Sequence, residues 1–476
     1  MSIQLGILIV YVVVLIGISW WSTKLQKRAS GSKMLSYLLA GRNMPAVVIC
    51  VMLVGLAVGG ASTVGVAETA YNAGFSAGWY NAAWGMGGIA VGLFVAKFFR
   101  KMSVKTIPEM MGLMFGPKTR FLSVVNQLLV MISITALQYV AGGSILKALL
   151  PDIFTFQGGL ITTALIFIFI TVVGGYWASG LTNIINVVMI YIGIIAALIN
   201  TLGVFGGMEV IKLTLPPPSA AWFHPISGLG IAVVAGYVAV MVTMAITTQA
   251  VAQISFAAKD EKTAKWGFLA GGLIILPAGF LCALFGIIAR SQFPNLENAA
   301  MALPTIAAQL SPFVGGIFLA SLWAADISTA VALLMGCSTL VLEDIVKKVY
   351  TKPIKKEHEL LVSRLTVLGV SLLSFLLALT VVGILRTITT ALAITTSFTL
   401  LILSDIYFHK LNRKASGFWI VLLSLLLWVI WTYLPQFRIG PALIYMEWVG
   451  CGALFILFAI FAKEPANRLV PQVEEK

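Results

Sequence analysis

Stretches of about 20 apolar residues, each long enough to cross the hydrocarbon core of a bilayer, recur from one end of this 476-residue chain to the other. In lipid every backbone N–H and C=O needs an internal partner, so a chain built this way must span as helices or close into a barrel. Continuous apolar runs, unlike the alternating pattern of barrel strands, specify helices. With 60% hydrophobic and only 10% charged residues, against about 25% charged in ordinary globular domains, a soluble fold could not hide its apolar surface. The expectation is an all-α integral membrane protein of about 13 transmembrane helices. They are placed near 4–22, 45–72, 77–97, 121–147, 157–175, 181–205, 227–255, 265–290, 312–342, 362–381, 384–408, 416–434 and 441–462.

The net charge of +14 invites a nucleic-acid reading, which the positions of the charges exclude. Alternate loops hold 26 of the 31 Lys and Arg residues, leaving Lys147, Lys212, Arg290, Arg386 and Arg438 for the other face. Such asymmetry sets topology by the positive-inside rule. It predicts an N-terminus outside and a C-terminus inside a cytoplasmic (inner) membrane, with the short charged tail from Lys463 to Lys476 flexible. The first span lacks a basic flank before it and a small-residue cleavage site, so it is expected to stay as a helix. Cys50, Cys282, Cys337 and Cys451 form no CxxC pair and read as small core residues. The three histidines, at 224, 358 and 409, suggest no metal cluster.

Two spans carry glycine-rich interruptions, which membranes tolerate only beside protein or a water-lined cavity. The second contains GLAVGGAST at 55–63, and the seventh opens SGLGIAVVAG at 227–236 before TMAITTQAVAQ at 243–253. They head two successive sets of five spans, and because five is odd the second set enters the membrane inverted. The expected organisation is a single transport domain. It comprises a leading helix and loop (1–44), repeat 1 (45–205), an external loop (206–226), repeat 2 (227–408) and trailing helices with a tail (409–476). Unwound backbone at the midplane of such repeats exposes carbonyls and half-helix ends to substrate and ion. Close helix packing is the alternative use of the same glycines.

The stretch GLAVGGASTVGVAETAYNAGFSAGWYNAAW at 55–84 with FRKMSVKTIPEMMGLMFGP at 99–117 resembles the sodium:solute symporter family, which includes bacterial proline, galactose and sialic acid transporters. The similarity continues, in order, through GGYWASGLTNIINVVM at 174–189, TTQAVAQISFAAKDEKTAKWG at 247–267 and CSTLVLEDIVKK at 337–348. The resemblance implies a LeuT-like five-plus-five inverted repeat, with the first helix of each repeat discontinuous, working by alternating access. It also implies a sodium site made by the carbonyls of Gly55, Val58 and Ala325 and the hydroxyls of Ser328 and Thr329. These residues are chemically suited to sodium. Ser328 and Thr329 follow Ala325 by three and four positions and share its helical face, and uncharged oxygens can replace a hydration shell without trapping the ion. Ser and Thr in membrane helices also bond back to their own carbonyls, which is the competing reading.

Departures from the family pattern bear on stoichiometry. Where some relatives have an aspartate opening the sixth span, this chain has Asn183, and Val331 and Ala332 replace further hydroxyls in the ninth. One sodium per cycle is expected. Asp326, an ionisable residue that costs about 2.5–3.5 kcal/mol to insert, is a coupling candidate: it could tune the sodium site, bind a proton or meet a cationic part of the substrate, or sit solvated in the inner vestibule. By alignment with sugar-binding relatives, Ser62, Tyr80 and Asn81 are substrate-binding candidates. Gln138, Met244 and Thr248 complete a less polar pocket in which methionine gives adaptable contact. With no basic residue in mid-membrane of the fourth span, an anionic solute would need helix dipoles or sodium as counter-charge.

The expected partners are a small organic solute, sodium and the bilayer, with no organic cofactor, no nucleic acid and no obligate protein partner. Sodium-coupled symport is the primary expectation, with a proton-coupled symporter using Asp326 as the alternative and a channel behind it. No nucleophile, base or metal-ligand constellation suggests an enzyme, and no signalling domain is expected.

Overall fold

The computed structural model describes residues 3–28, 33–102, 104–349, 356–380 and 384–469; the end of the charged tail lies outside them. Every named element among the described residues is a helix. Eleven helical stretches among them, Ala61–Lys101 counted as one, are long and apolar enough to cross a membrane, or up to twelve when a bent pair is joined. In chain order, α1 is Ile3–Arg28, α2 Ala46–Ala57, α3 Val66–Ala73, α4 Trp79–Ala90 and α5 Pro117–Leu149. Next come α6 Phe156–Val173 and α7 Gly175–Val204, α8 Ile231–Thr247, α9 Gln249–Ala257 and α10 Glu261–Gln292. The last are α11 Pro312–Leu340, α12 Lys356–Ala378, α13 Ile384–Tyr407, α14 Lys414–Tyr433 and α15 Leu443–Phe461.

The expected segment 45–72 accounts for one difference in count. It is divided between α2 and α3, and the 12 residues of α2 rise only about 18 Å, short of the ~30 Å hydrocarbon core. Between α6 and α7 the division falls at Gly175, whose φ of 57° lies in a region that only glycine enters freely.

At the centre lies α11, in which every residue from Phe318 to Leu340 is buried. Its polar groups, Asp326, Ser328 and Thr329 among them, are costly to place against lipid, and α1, α2, α5, α7 and α12 pack around it. The other side of α12 presents Leu365, Leu368, Leu372 and Leu376, all exposed, as a face for lipid. All four cysteines are buried and unbridged.

The basic face is tied across by charges. Arg120 at the start of α5 donates from Nε to Asp344 Oδ1 (2.7 Å) just beyond α11. Lys105 and Lys347 both reach Glu343 (2.9 and 2.8 Å), and Lys347 also reaches Glu359 (2.8 Å). The Asp344 side chain has no exposure and that of Arg120 only 14%, so this pair is poorly screened. Breaking a buried pair by removing one partner costs about 3–5 kcal/mol. Asp344→Asn is therefore expected to lower the melting midpoint and to speed hydrogen exchange at the amides around 341–346; unchanged exchange there would show that the pair does not hold this face.

Candidate functional site

The backbone leaves helical geometry at Val58 (φ −97°, ψ 78°), passes Gly59 and Gly60, and re-enters through a wide π turn at Ala61–Gly65 that leads into α3. Side chains satisfy the groups freed there: Gln138 of α5 accepts from Gly60 N–H at 2.7 Å, and Ser62 donates across the break to the Ala57 carbonyl at 2.5 Å. The two glycines are required by proximity. A Cβ on Gly59 would stand 2.4 Å from Thr329 Oγ1, and one on Gly60 2.3 Å from the Ala141 Cβ.

Against this break lies the hydroxyl face of α11. Ser328 Oγ is 2.8 Å from the Gly55 carbonyl and 2.8 Å from that of Ala325. Thr329 Oγ1 is 2.9 Å from the Gly55 carbonyl and 3.2 Å from that of Leu56. Four of the five expected sodium ligands thus come together: Gly55, Ala325, Ser328 and Thr329. Neither hydroxyl bonds to the Val58 carbonyl, and Leu56 offers the second acceptor from α2 instead. A hydroxyl serving its own helix, the competing reading, holds for one bond of Ser328 and none of Thr329. Asp326 is fully buried, not solvated in a vestibule; it has no ion pair or side-chain hydrogen bond among the described residues, and the backbone of Gly60 is the polar group it faces. Its Oδ1 lies 2.7 Å from where a Cβ on Gly60 would stand, so it lies beside the break.

A second break follows α8. Thr248 adopts an extended conformation (φ −80°, ψ 131°) and α9 leaves at 49° to α8. Here the amide of Gln127 does both jobs, donating to the Thr247 carbonyl and accepting from Gln249 N–H, each at 2.9 Å. Gln249 in turn accepts from Ile107 N–H at 2.7 Å. Sequence reasoning missed Gln127. The signal was available in its spacing: Gln138 follows eleven positions later on α5, three helical turns, so both glutamines lie on one face. Each closes the backbone of a different broken helix.

Between the two breaks is a small cavity lined by Ala57, Gly59, Gln138 and Thr329 on one side and by Met244, Thr248, Ile388 and Leu392 on another, with Tyr80 and Trp84 closing it. Its free space is about 20 Å³, room for about one water molecule. Of the substrate candidates, Tyr80, Gln138, Met244 and Thr248 line it. Ser62 and Asn81 do not: Ser62 is turned to Ala57, and Asn81 is buried with neither amide atom partnered among the described residues. The arrangement can do two things chemically. It offers a group of uncharged oxygens to a monovalent cation and, next to it, a mostly apolar wall with an amide and hydroxyls to a small solute.

Comparison with known proteins gives consistent results. The profile of the sodium:solute symporter family matches residues 37–423. The chain is 25% identical over 391 residues to the sodium/pantothenate symporter of Escherichia coli, covering 78% of each. It is 24% identical to the sodium/glucose cotransporter of Vibrio parahaemolyticus, over 75% of this chain and 71% of that protein. A sodium/proline symporter of Staphylococcus aureus is 24% identical over 89% of this chain and 85% of its own. Among solved structures, a Na+-coupled sialic acid symporter in a substrate-bound outward-open state superposes with a TM-score of 0.80 at 17% identity, covering 98% of this chain and 99% of that one. A nucleobase-cation-symport-1 family transporter in a closed conformation gives 0.61 at 13% identity, over 92% and 94%. At these identities the structural likeness is one of fold.

Proposed function

Because the chain belongs to the sodium:solute symporter family, and is a sodium-coupled solute transporter of the membrane and not an enzyme, we propose that it imports a small organic solute by alternating access with one sodium ion per cycle. The ion would be held by Ser328, Thr329 and the carbonyls of Gly55, Ala325 and Val58 or Leu56. Residues 45–205 and 227–408 act as inverted repeats within 13 spans, the N-terminus lying outside the inner membrane and the C-terminus inside. The observation that carries this reading is the meeting of the Thr329 hydroxyl with two carbonyls at the end of α2.

The energetics of that contact suggest how coupling works. A cation entering here replaces the hydroxyl-to-carbonyl hydrogen bonds that now join α11 to α2. Sodium shifts the cycle only by its differential affinity for the conformations in which these two elements touch and separate. The cavity, with room for one water, must widen to admit a solute, and loosening of α8 or α13 from Gln138 and Thr329 would widen it. A thermal-shift screen of the purified protein against amino acids, monocarboxylates, vitamins, sugars and nucleobases, each in sodium and in potassium, tests the proposal. A solute that stabilises in sodium alone is expected; equal stabilisation in both salts refutes coupling.

Asp326 supports a second reading, proton coupling, since a carboxylate enclosed without a counter-charge costs several kcal/mol unless it is neutralised or balanced. If a proton rides there, Asp326→Asn uptake loses its dependence on external pH while its response to sodium is kept. A wild-type pH profile in Asp326→Asn leaves sodium as the driving ion.

A further inference from the structure

A cavity of about 430 Å³ lies away from the basic face, where α8 and α13 meet the connection between α14 and α15. Arg386 and Arg438, Thr389 and Thr390, Trp431 and Val240 line it, with backbone from Gly440 onward. Two of the five basic residues that the loop distribution leaves on this face therefore converge on one space. Arg386 is exposed and makes no ion pair among the described residues. Arg438 is fixed: its guanidinium lies 5.2 Å over the Trp431 ring, and its Nε donates to the Trp431 carbonyl at 2.8 Å. Neither of its terminal nitrogens has a partner among the described residues. Of the acidic side chains on neighbouring elements, Glu68 accepts from Ile384 N–H at 3.3 Å, and Glu447, three residues after Ile444, is buried.

Unpaired arginines held in a concave space focus potential and match a carboxylate with their fork of donors. On the opposite face, Lys105, Arg120 and Lys347 are instead engaged by Glu343, Asp344 and Glu359. The cavity also stands in line with the small one between the breaks. Val240 lies one turn of α8, about 6 Å, before Met244, and Arg386, Thr389 and Thr390 share α13 with Ile388 and Leu392.

We propose that this outer cavity is the entry site for the transported solute, and that the solute is a carboxylate anion with a neutral body: Arg386 and Arg438 take the carboxylate, while the Thr389 and Thr390 hydroxyls stay bonded to carbonyls of their own helix, and the apolar inner cavity, once widened, accepts the remainder. The inference rests on the reading of the chain as a solute symporter and adds the charge class of the solute.

The test is binding to the purified full chain in lipid nanodiscs, in sodium and in potassium, with pantothenate, lactate and pyruvate as carboxylates, proline as a zwitterion and glucose as a neutral solute. A carboxylate is expected to bind, and Arg386→Gln and Arg438→Gln are each expected to raise its half-saturation about tenfold or more, the loss of a charge-assisted bond. Arg438→Lys should recover only part, because the charge returns without the fork. Binding of glucose or proline but no carboxylate, binding of none of the five, or a carboxylate affinity unchanged in the double variant Arg386→Gln/Arg438→Gln would overturn the site. Carboxylate binding that needs both arginines but is equal in the two salts keeps the site and removes sodium coupling; sodium-dependent binding of glucose alone does the reverse.

Discussion

Thr329→Ala is expected to raise the sodium concentration at which thermal stabilisation sets in by about 10–100-fold, and Ser328→Ala by less. The order follows from the geometry. Thr329 Oγ1 reaches two carbonyls of α2, Gly55 and Leu56, whereas Ser328 divides itself between Gly55 and Ala325 of its own helix. An uncharged ligand to a charge is worth about 1.5–3 kcal/mol, and each 1.4 kcal/mol is about a factor of ten in affinity. Thr329→Ser retains the oxygen and should stay within about threefold of the parent on the same scale. Titrating the melting midpoint with sodium needs no knowledge of the solute, because a ligand of the folded state alone, at free concentration c, raises stability by RT ln(1 + c/Kd), so the concentration at which the rise begins reports the affinity. If Thr329→Ala and the double variant with Ser328→Ala both titrate like the parent, the ion binds elsewhere.

Gln127→Leu is expected to destabilise the protein by about 2–6 kcal/mol, because it leaves the Thr247 carbonyl and the Gln249 N–H unpaired away from water and each such group costs about 1–3 kcal/mol. Leucine fills much of the same volume, so the loss isolates hydrogen bonding from packing. Gln127→Glu keeps an acceptor for Gln249 N–H but has no donor for Thr247, and should fall between the two. Melting in detergent, together with hydrogen exchange at residues 248–252, reads the effect. A Gln127→Leu variant within about 0.5 kcal/mol of the parent, the range of inconsequential substitutions, would mean that other groups satisfy the break.

How much of the site could be read beforehand depended on whether its cause is local. The interruption at Gly59 and Gly60 is local, since adjacent glycines in an apolar run favour a departure from helix. So is the shared face of Ala325, Ser328 and Thr329, which follows from the helical repeat alone. The choice between Val58 and Leu56 as the second carbonyl was not local. It depends on how far α2 persists before unwinding and on the height at which α11 crosses it. Ser62 is a similar case: the hydroxyl satisfies the freed Ala57 carbonyl, a demand created only once the helix has broken. Gln138 was expected at the solute, and it both lines the cavity and holds Gly60 N–H.

By itself the sequence determined that this chain is helical and lives in a membrane, because no other backbone arrangement satisfies its polar groups within apolar runs of this length, and its ordered motifs determined the family. Tertiary structure alone decided which freed backbone groups each polar side chain serves. Ser62 apart, the side chains that serve the breaks come from elements more than 70 residues distant, as with Gly60 and Gln138 or Gln127 and Gln249, and periodicity along one helix holds no information about the helix packed against it.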